Sequence, residues 1–199
     1  MRERNSSKTC LVIASGNLGK IKEFRKFFDC FPFKILGQPV GFEVNETGQT
    51  FVENARLKAL AVARETGEWS FADDSGLSVE ALAGAPGVHS ARYATSDEKR
   101  ISRLLREMDL RNNRVAYFSS ALCIASPDNE ILLEVEGQCK GLITKAPRGK
   151  RGFGYDPVFE ELETGLTFAE MEPEEKHSIS HRGRALALLA PELMKLLDL

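Results

Sequence analysis

Six consecutive residues, Ser15-Gly16-Asn17-Leu18-Gly19-Lys20, have the makings of an anion cradle. They separate a short apolar run, residues 9–14, from a stretch in which Ile21, Phe24, Phe27 and Phe28 recur at helical spacing. Amides at a helix start, together with the positive end of the helix dipole, attract phosphate. Small residues let the backbone approach the anion, and Lys20 adds a full charge. The spacing is not the Gly-x-x-x-x-Gly-Lys-Ser/Thr of a P-loop, so an ordinary ATPase cradle is excluded. A purely structural turn is the competing reading.

A second candidate is Asp73-Asp74-Ser75-Gly76, which follows the apolar run Trp69 to Ala72 and is expected where that strand ends. Carboxylates with reference pKa values near 4 are ionised at neutral pH and are hard oxygen ligands of the kind Mg²⁺ prefers. The alternative is an acidic turn that accepts backbone hydrogens. Glu46 offers another carboxylate from the loop before the second helix, with Glu43 as its competitor. Glu53 is better explained as the capping-box partner of Thr50.

Gly152-Phe153-Gly154-Tyr155-Asp156-Pro157 puts two aromatics on a glycine-rich loop. Such rings can stack on a flat base, worth about 1–3 kcal/mol, or fold back into the core. Arg148, Lys150 and Arg151 stand close enough in sequence to meet phosphates. Lys176-His177-Ser178-Ile179-Ser180-His181-Arg182 gathers cations at an expected helix start, where they oppose the dipole. Binding a polar ligand explains them, and so does a solvated helix end.

The elements that must position these residues follow from periodicity. Residues 9–14 predict a strand, and the spacing after Lys20 predicts a helix. A loop over residues 37–49 leads to a second helix opened by Thr50-x-x-Glu53, with Phe51, Val52, Ala55, Ala59, Val62 and Ala63 as its apolar stripe. Leu77 to Leu82 extends the third strand, residues 83–96 form a loop, and Ile101, Leu104, Leu105 and Met108 mark a third helix. Val115 to Ala125 and Glu130 to Cys139 predict a hairpin around Pro127-Asp128-Asn129. Residues 146–156 read as loop. His181 to Leu197 reads as a helix capped by Ser180 and kinked or restarted at Pro191.

The 199 residues suit one domain, 1–199, of mixed α/β class. With 27 basic against 29 acidic side chains, there is no electrostatic case for a nucleic-acid polymer as partner. The four cysteines form no C-x-x-C pair, which argues for free buried thiols over structural zinc. Met1 to Lys8 is polar, and no stretch nears the roughly 20 apolar residues of a membrane span. A cytoplasmic protein without a secretory signal is expected.

Taken together, the stretches ASGNLGKIKEF, ETGQTFVENARLKA, ADDSGLSVEALAGAPGVHSARYA, GFGYDPVF and EKHSISHRGRAL resemble the HAM1-like inosine/xanthosine triphosphate pyrophosphatases. These are the non-canonical purine NTP pyrophosphatase family, and the resemblance runs from Leu11 to Leu189. It implies an elongated mixed β-sheet flanked by helices, two lobes around a central cleft, and a homodimer. The implied activity is Mg²⁺-dependent hydrolysis of ITP, dITP and XTP to the monophosphate and pyrophosphate. Asp74 would be the catalytic carboxylate and a metal ligand, with Glu46 the other ligand. Ser15, Gly16, Asn17, Leu18, Gly19 and Lys20 would meet the triphosphate, with Ser75 also touching substrate. Phe153, Gly154, Tyr155 and Asp156 would frame the nucleoside, and Lys176, His181 and Arg182 would reach base and phosphates.

Three departures stand out. Ser15 replaces a common Thr while keeping the hydroxyl, and Asn45 replaces one of a frequent acidic pair beside Glu46. Lys150 and Arg151 make their loop unusually basic. Rival readings are the related Maf-like pyrophosphatases, which act on other nucleotides, and a nucleotide-binding regulator without catalysis. Lys20, Asp74 and Lys176 together argue against the regulator, since a pure binder needs no catalytic carboxylate.

Overall fold

Residues 9–199 are described by a computed structural model; the reading drawn from Met1 to Lys8 lies outside these residues. Six strands form a single mixed sheet in the order β2-β1-β3-β4-β5-β6. They are β1 (Thr9–Ile13), β2 (Phe33–Gly37), β3 (Trp69–Val79), β4 (Val115–Ala125), β5 (Ile131–Ile143) and β6 (Phe159–Glu161). β1 runs parallel to β2 and β3, and β5 runs antiparallel to β6. The helices are α1 (Leu18–Phe28), α2 (Phe51–Thr66), α3 (Asp97–Glu107), α4 (Pro173–Ile179) and α5 (His181–Leu196). The α/β class with a mixed sheet is thus as expected.

The chain forms two compact units. One holds the described residues up to Asp73 together with Leu122–Glu134, and the other holds Asp74–Ala121 with Val135–Leu199. In the first, Phe24 and Phe28 of α1 meet Phe71 of β3 edge-on at 4.7 and 4.9 Å between ring centroids. Edge-to-face pairs add about 0.5–1.5 kcal/mol each to the area they bury. The α2 capping box closes as the sequence predicts: the Thr50 hydroxyl accepts from the Glu53 amide at 3.1 Å, and the Glu53 carboxylate accepts from Thr50 N–H at 3.3 Å. Gly67, at φ +67°, ends α2 in the left-handed conformation that suits glycine.

The second unit has its own core, in which Leu77, Leu104, Met108, Phe118, Phe159 and Phe168 are all buried. Ser96 caps α3 and Ser180 caps α5, each accepting a backbone N–H three residues on. Buried Cys123 and Cys139 fit the expectation of free thiols, burial pushing them up to about 12 and about 11; Cys30 is exposed.

The sequence reading needs correction at several elements. β3 does not end at Asp73 but runs unbroken through Asp74, Ser75 and Gly76, and the expected extension from Leu77 holds as far as Val79, with Glu80–Leu82 forming a 3-10 turn instead. β2, β6 and α4 were not expected. β2 and β6 are only 5 and 3 residues long, too short to carry a period, and become strands through pairing with β1 and β5. β5 continues past Cys139 to Ile143 because its last residues pair with β6. Of the kink or restart expected at Pro191, the restart does not occur, since α5 is continuous from His181 to Leu196.

Gly137 of β5 faces α5 so closely that a Cβ there would lie 2.3 Å from both Ala185 N and His181 O. Two backbones in contact cannot yield as a flexible side chain can. Gly137→Ala should therefore cost about 1–3 kcal/mol in urea unfolding, as overpacking does. An unchanged midpoint and slope would show that the sheet and α5 adjust freely.

Candidate active site

In the first unit the Asn17 side chain caps α1 by accepting from the Lys20 amide at 3.1 Å, and the Asn17 amide donates to Ser15 Oγ at 3.1 Å. This fixes the first turn of α1 and leaves Gly16, Asn17, Leu18 and Gly19 exposed. Leu18 is 82% exposed at the first helical position. Lys20 Nζ reaches Asp73 Oδ2 at 2.5 Å, and that carboxylate is fully buried.

Glu46 arrives on a loop pinned to α2. The Gly48 amide donates to Asn54 Oδ1 at 2.8 Å, so close that a Cβ on Gly48 would meet this oxygen at 2.7 Å. The Glu46 carboxylate lies 2.9 Å from Lys58 Nζ, which also donates to the Asp73 carbonyl at 2.9 Å. Lys20, Glu46, Lys58 and Asp73 thus form one group of alternating charge. The sequence offers Asp73 only as one of a pair of candidate carboxylates and gives Lys58 no role. The available signal for Lys58 was a lysine beside Ala59, at the border of the buried alanine stripe.

In the second unit Asp74 is 7% exposed, and Arg182 Nη2 donates to Ser75 Oγ at 3.3 Å. Asp156 is buried, and its Oδ2 accepts both from the Phe153 amide at 2.8 Å and from Lys176 Nζ at 2.6 Å. The Phe153 ring is 40% exposed, with Lys176 Nζ 5.3 Å and the Arg182 guanidinium carbon 5.8 Å from its centroid. Ser75, Phe153, Asp156, Lys176 and Arg182 are therefore brought together.

The two aromatics of the glycine-rich loop divide the two readings between them. Phe153 stays exposed, while Tyr155 joins the core and donates its hydroxyl to the Ser90 carbonyl at 3.0 Å. Burial raises the Tyr155 phenol well above its ordinary pKa. His181 is also buried, stacked on Phe118 at 4.6 Å and 11°. Gly152, at φ +76°, leaves no room for a side chain, since a Cβ would sit 1.9 Å from Asp156 Oδ2.

The cation-rich segment also departs from expectation. Lys176 and His177 occupy the last turn of α4, where positive charge complements the dipole instead of opposing it. Only His181 and Arg182 stand at the start of α5. Arg148 pairs with Glu160 and Glu170, and Arg151 with Glu172, so these arginines brace their own loop.

Among the described residues, no three His, Cys, Asp or Glu side chains assemble into a metal cage. Mg²⁺ does not need one: it commonly rests on one or two carboxylates, substrate phosphates and waters. Glu46 and Asp74 are of the right donor chemistry for that mode.

The sequence model of the Ham1 family matches residues 11–192. A dITP/XTP pyrophosphatase of Prochlorococcus marinus is 61% identical, over 99% of this chain and 97% of its own. The Ham1 protein of Staphylococcus aureus superimposes with a TM-score of 0.86 at 40% identity, covering 94% of this chain and 99% of that one. A HAM1 protein from Coxiella burnetii gives a TM-score of 0.87 at 38% identity, covering 94% of this chain and 99% of that one.

Because the Asp73 carboxylate is buried, its cation matters for folding as well as for any ligand. Lys20→Ala should lower stability by about 3–5 kcal/mol, as breaking a buried pair does. Adding Asp73→Asn should recover much of that loss. Chemical denaturation of the single and double variants reads this directly, and equal stability of Lys20→Ala and wild type would remove the pair's structural role.

Proposed function

The chain belongs to the Ham1 family, and from that premise we propose that it hydrolyses the non-canonical purine nucleoside triphosphates ITP, dITP and XTP to the monophosphate and pyrophosphate. The observation that carries this reading is the half-open Phe153 ring flanked by Lys176 and Arg182. A planar base can stack there while hydrogen-bond donors stand at its edge. Inosine and xanthosine present an exocyclic oxygen where adenosine presents an amino group. Donors paired to that oxygen are left unsatisfied by adenine, a mismatch that polar sites reject by about 10⁴-fold or more.

The triphosphate is assigned to Ser15, Gly16, Asn17, Leu18, Gly19 and Lys20 at the start of α1, with Ser75 also touching substrate. Asp74 takes a proton from the attacking water. The water oxygen bonds to the α-phosphorus, the bond from that phosphorus to the bridging oxygen breaks, and pyrophosphate leaves with the electron pair. Lys20 and the α1 amides stabilise the charge on the departing group. Glu46 and Asp74 would hold Mg²⁺, which supplies charge neutralisation on the phosphates when bound. Phe153, Gly154, Tyr155 and Asp156 frame the nucleoside, Tyr155 and Asp156 from behind the loop, with Lys176, His181 and Arg182 serving base and phosphates.

The reading covers all 199 residues as one catalytic domain, working as a cytoplasmic homodimer on a small nucleotide, with no nucleic-acid polymer as partner. Its support is the family together with the balanced charge. No helix among the described residues is long and apolar enough to cross a membrane.

Pyrophosphate release from a panel of triphosphates tests the activity. ITP, dITP and XTP should be cleaved, ATP far more slowly, and a chelator should abolish turnover until Mg²⁺ is restored. Equal rates on ATP and ITP would end the specificity claim, and release from no triphosphate would favour a binding protein. Asp74→Asn should cut kcat by about 10²–10⁴-fold with folding intact; near-normal turnover would remove Asp74 from the chemistry.

A further inference from the structure

Phe153 is the exposed member of a loop tied down at Phe153 itself, Gly154 and Tyr155. Its own amide is held by Asp156 and Tyr155 is anchored through Ser90. The tie between them comes from a different element: the Gly154 amide donates to Asp97 Oδ2 at 2.8 Å. Gly154 stands at φ +62°, and nothing lies within 4 Å of the place its Cβ would take, so nothing packs on that side of the residue. The Phe153–Gly154 peptide is held at both ends, its carbonyl by the Asp156 amide at 3.3 Å and its N–H by Asp97, and only the Asp97 bond reaches it from outside the loop.

Asp97 is the first residue of α3, and its other oxygen, Oδ1, pairs with Arg100 at 2.5 Å. A carboxylate in a helix's first turn is ordinarily explained by the dipole. That explanation is already supplied in α3 by Glu98 and by the Ser96 cap. Asp97 does something neither of them does, reaching 57 residues along the chain to a backbone amide. Charge-assisted bonds of this kind are the stronger class, and Arg100 holds the acceptor in place.

We propose that Asp97 is a positioning residue for nucleobase recognition, holding the Gly154 peptide so that the Phe153 ring presents its face to the purine. The proposal rests on the nucleotide-hydrolysing reading above and deepens it. It assigns Asp97 no contact with substrate and no part in the phosphoryl chemistry. Loss of the tie leaves the phosphate-binding groups as they are and loosens only the base platform.

The test compares Asp97→Ala, Asp97→Asn and Arg100→Ala in the full chain. Two ligands are used that differ in having a base: ITP as substrate and inorganic tripolyphosphate as competitor. Asp97→Ala should raise KM for ITP about tenfold, the scale of one charge-assisted bond, with kcat within about threefold of wild type. The inhibition constant of tripolyphosphate should not move. Asp97→Asn keeps an oxygen that can accept from Gly154 and should restore most of the affinity, while Arg100→Ala, which loosens the acceptor but keeps it, should raise KM by clearly less than Asp97→Ala.

An unchanged KM in Asp97→Ala overturns the proposal, as does a parallel rise in the tripolyphosphate constant or an Arg100→Ala defect of the same size. Calorimetric binding of inosine monophosphate to the same variants separates this outcome from failure of the activity itself. A wild type that binds the monophosphate but releases no pyrophosphate refutes the activity, and the Asp97→Ala affinity then decides the positioning role alone. A wild type that binds no nucleotide refutes both.

Discussion

A carboxylate in the middle of a buried strand has to be given a cation, and β3 carries two carboxylates in succession at Asp73 and Asp74. An isolated ion in such surroundings costs several kcal/mol even after relaxation, so burial is tolerated only with close compensation. For Asp73 that compensation is Lys20, delivered from the first turn of α1. The Asn17 cap fixes where that turn begins, and Phe24 and Phe28 fix how α1 lies on β3. The cap, the aromatic packing and the ion pair therefore constrain one another. Lys58 extends the group to Glu46, so a loop carboxylate is held at a defined place by the same charge pattern.

The aromatic loop solves a different problem: keeping a large apolar ring half in water without letting it collapse inward. Tyr155 is spent on the core, where its hydroxyl finds the Ser90 carbonyl, and this roots the loop. Asp156 then holds the Phe153 amide and keeps Lys176 beside the ring. Gly152 is required because the Asp156 carboxylate fills the place a side chain would take. The cation beside the ring is itself placed at low cost, because Lys176 ends α4 and complements its dipole.

Capping and periodicity were legible in the chain because they are local. Thr50 with Glu53 and Ser180 before His181 announce helix starts through hydrogen bonds spanning three residues. The Phe24 and Phe28 spacing announces a buried helix face. β2 and β6 were not legible, since segments that short become strands only against a partner far along the chain. The end expected for β3 at Asp73 was wrong for a related reason. Consecutive acids normally mark a turn, and Lys20, which lies 53 positions before Asp73 in sequence, offsets the Asp73 charge inside the continuing strand.

From its sequence alone this protein could be placed by class, by family resemblance, and by the segments that carry its candidate site residues. Those depend on residue type and near-neighbour spacing, which a linear string preserves. Which of Phe153 and Tyr155 faces outward, that Arg148 and Arg151 brace their own loop, and that Asp73 and Lys58 join Glu46 and Lys20 were decided only by the tertiary structure. Each of these turns on competition for burial and for counter-charges among groups distant in the chain, and only folding settles that competition.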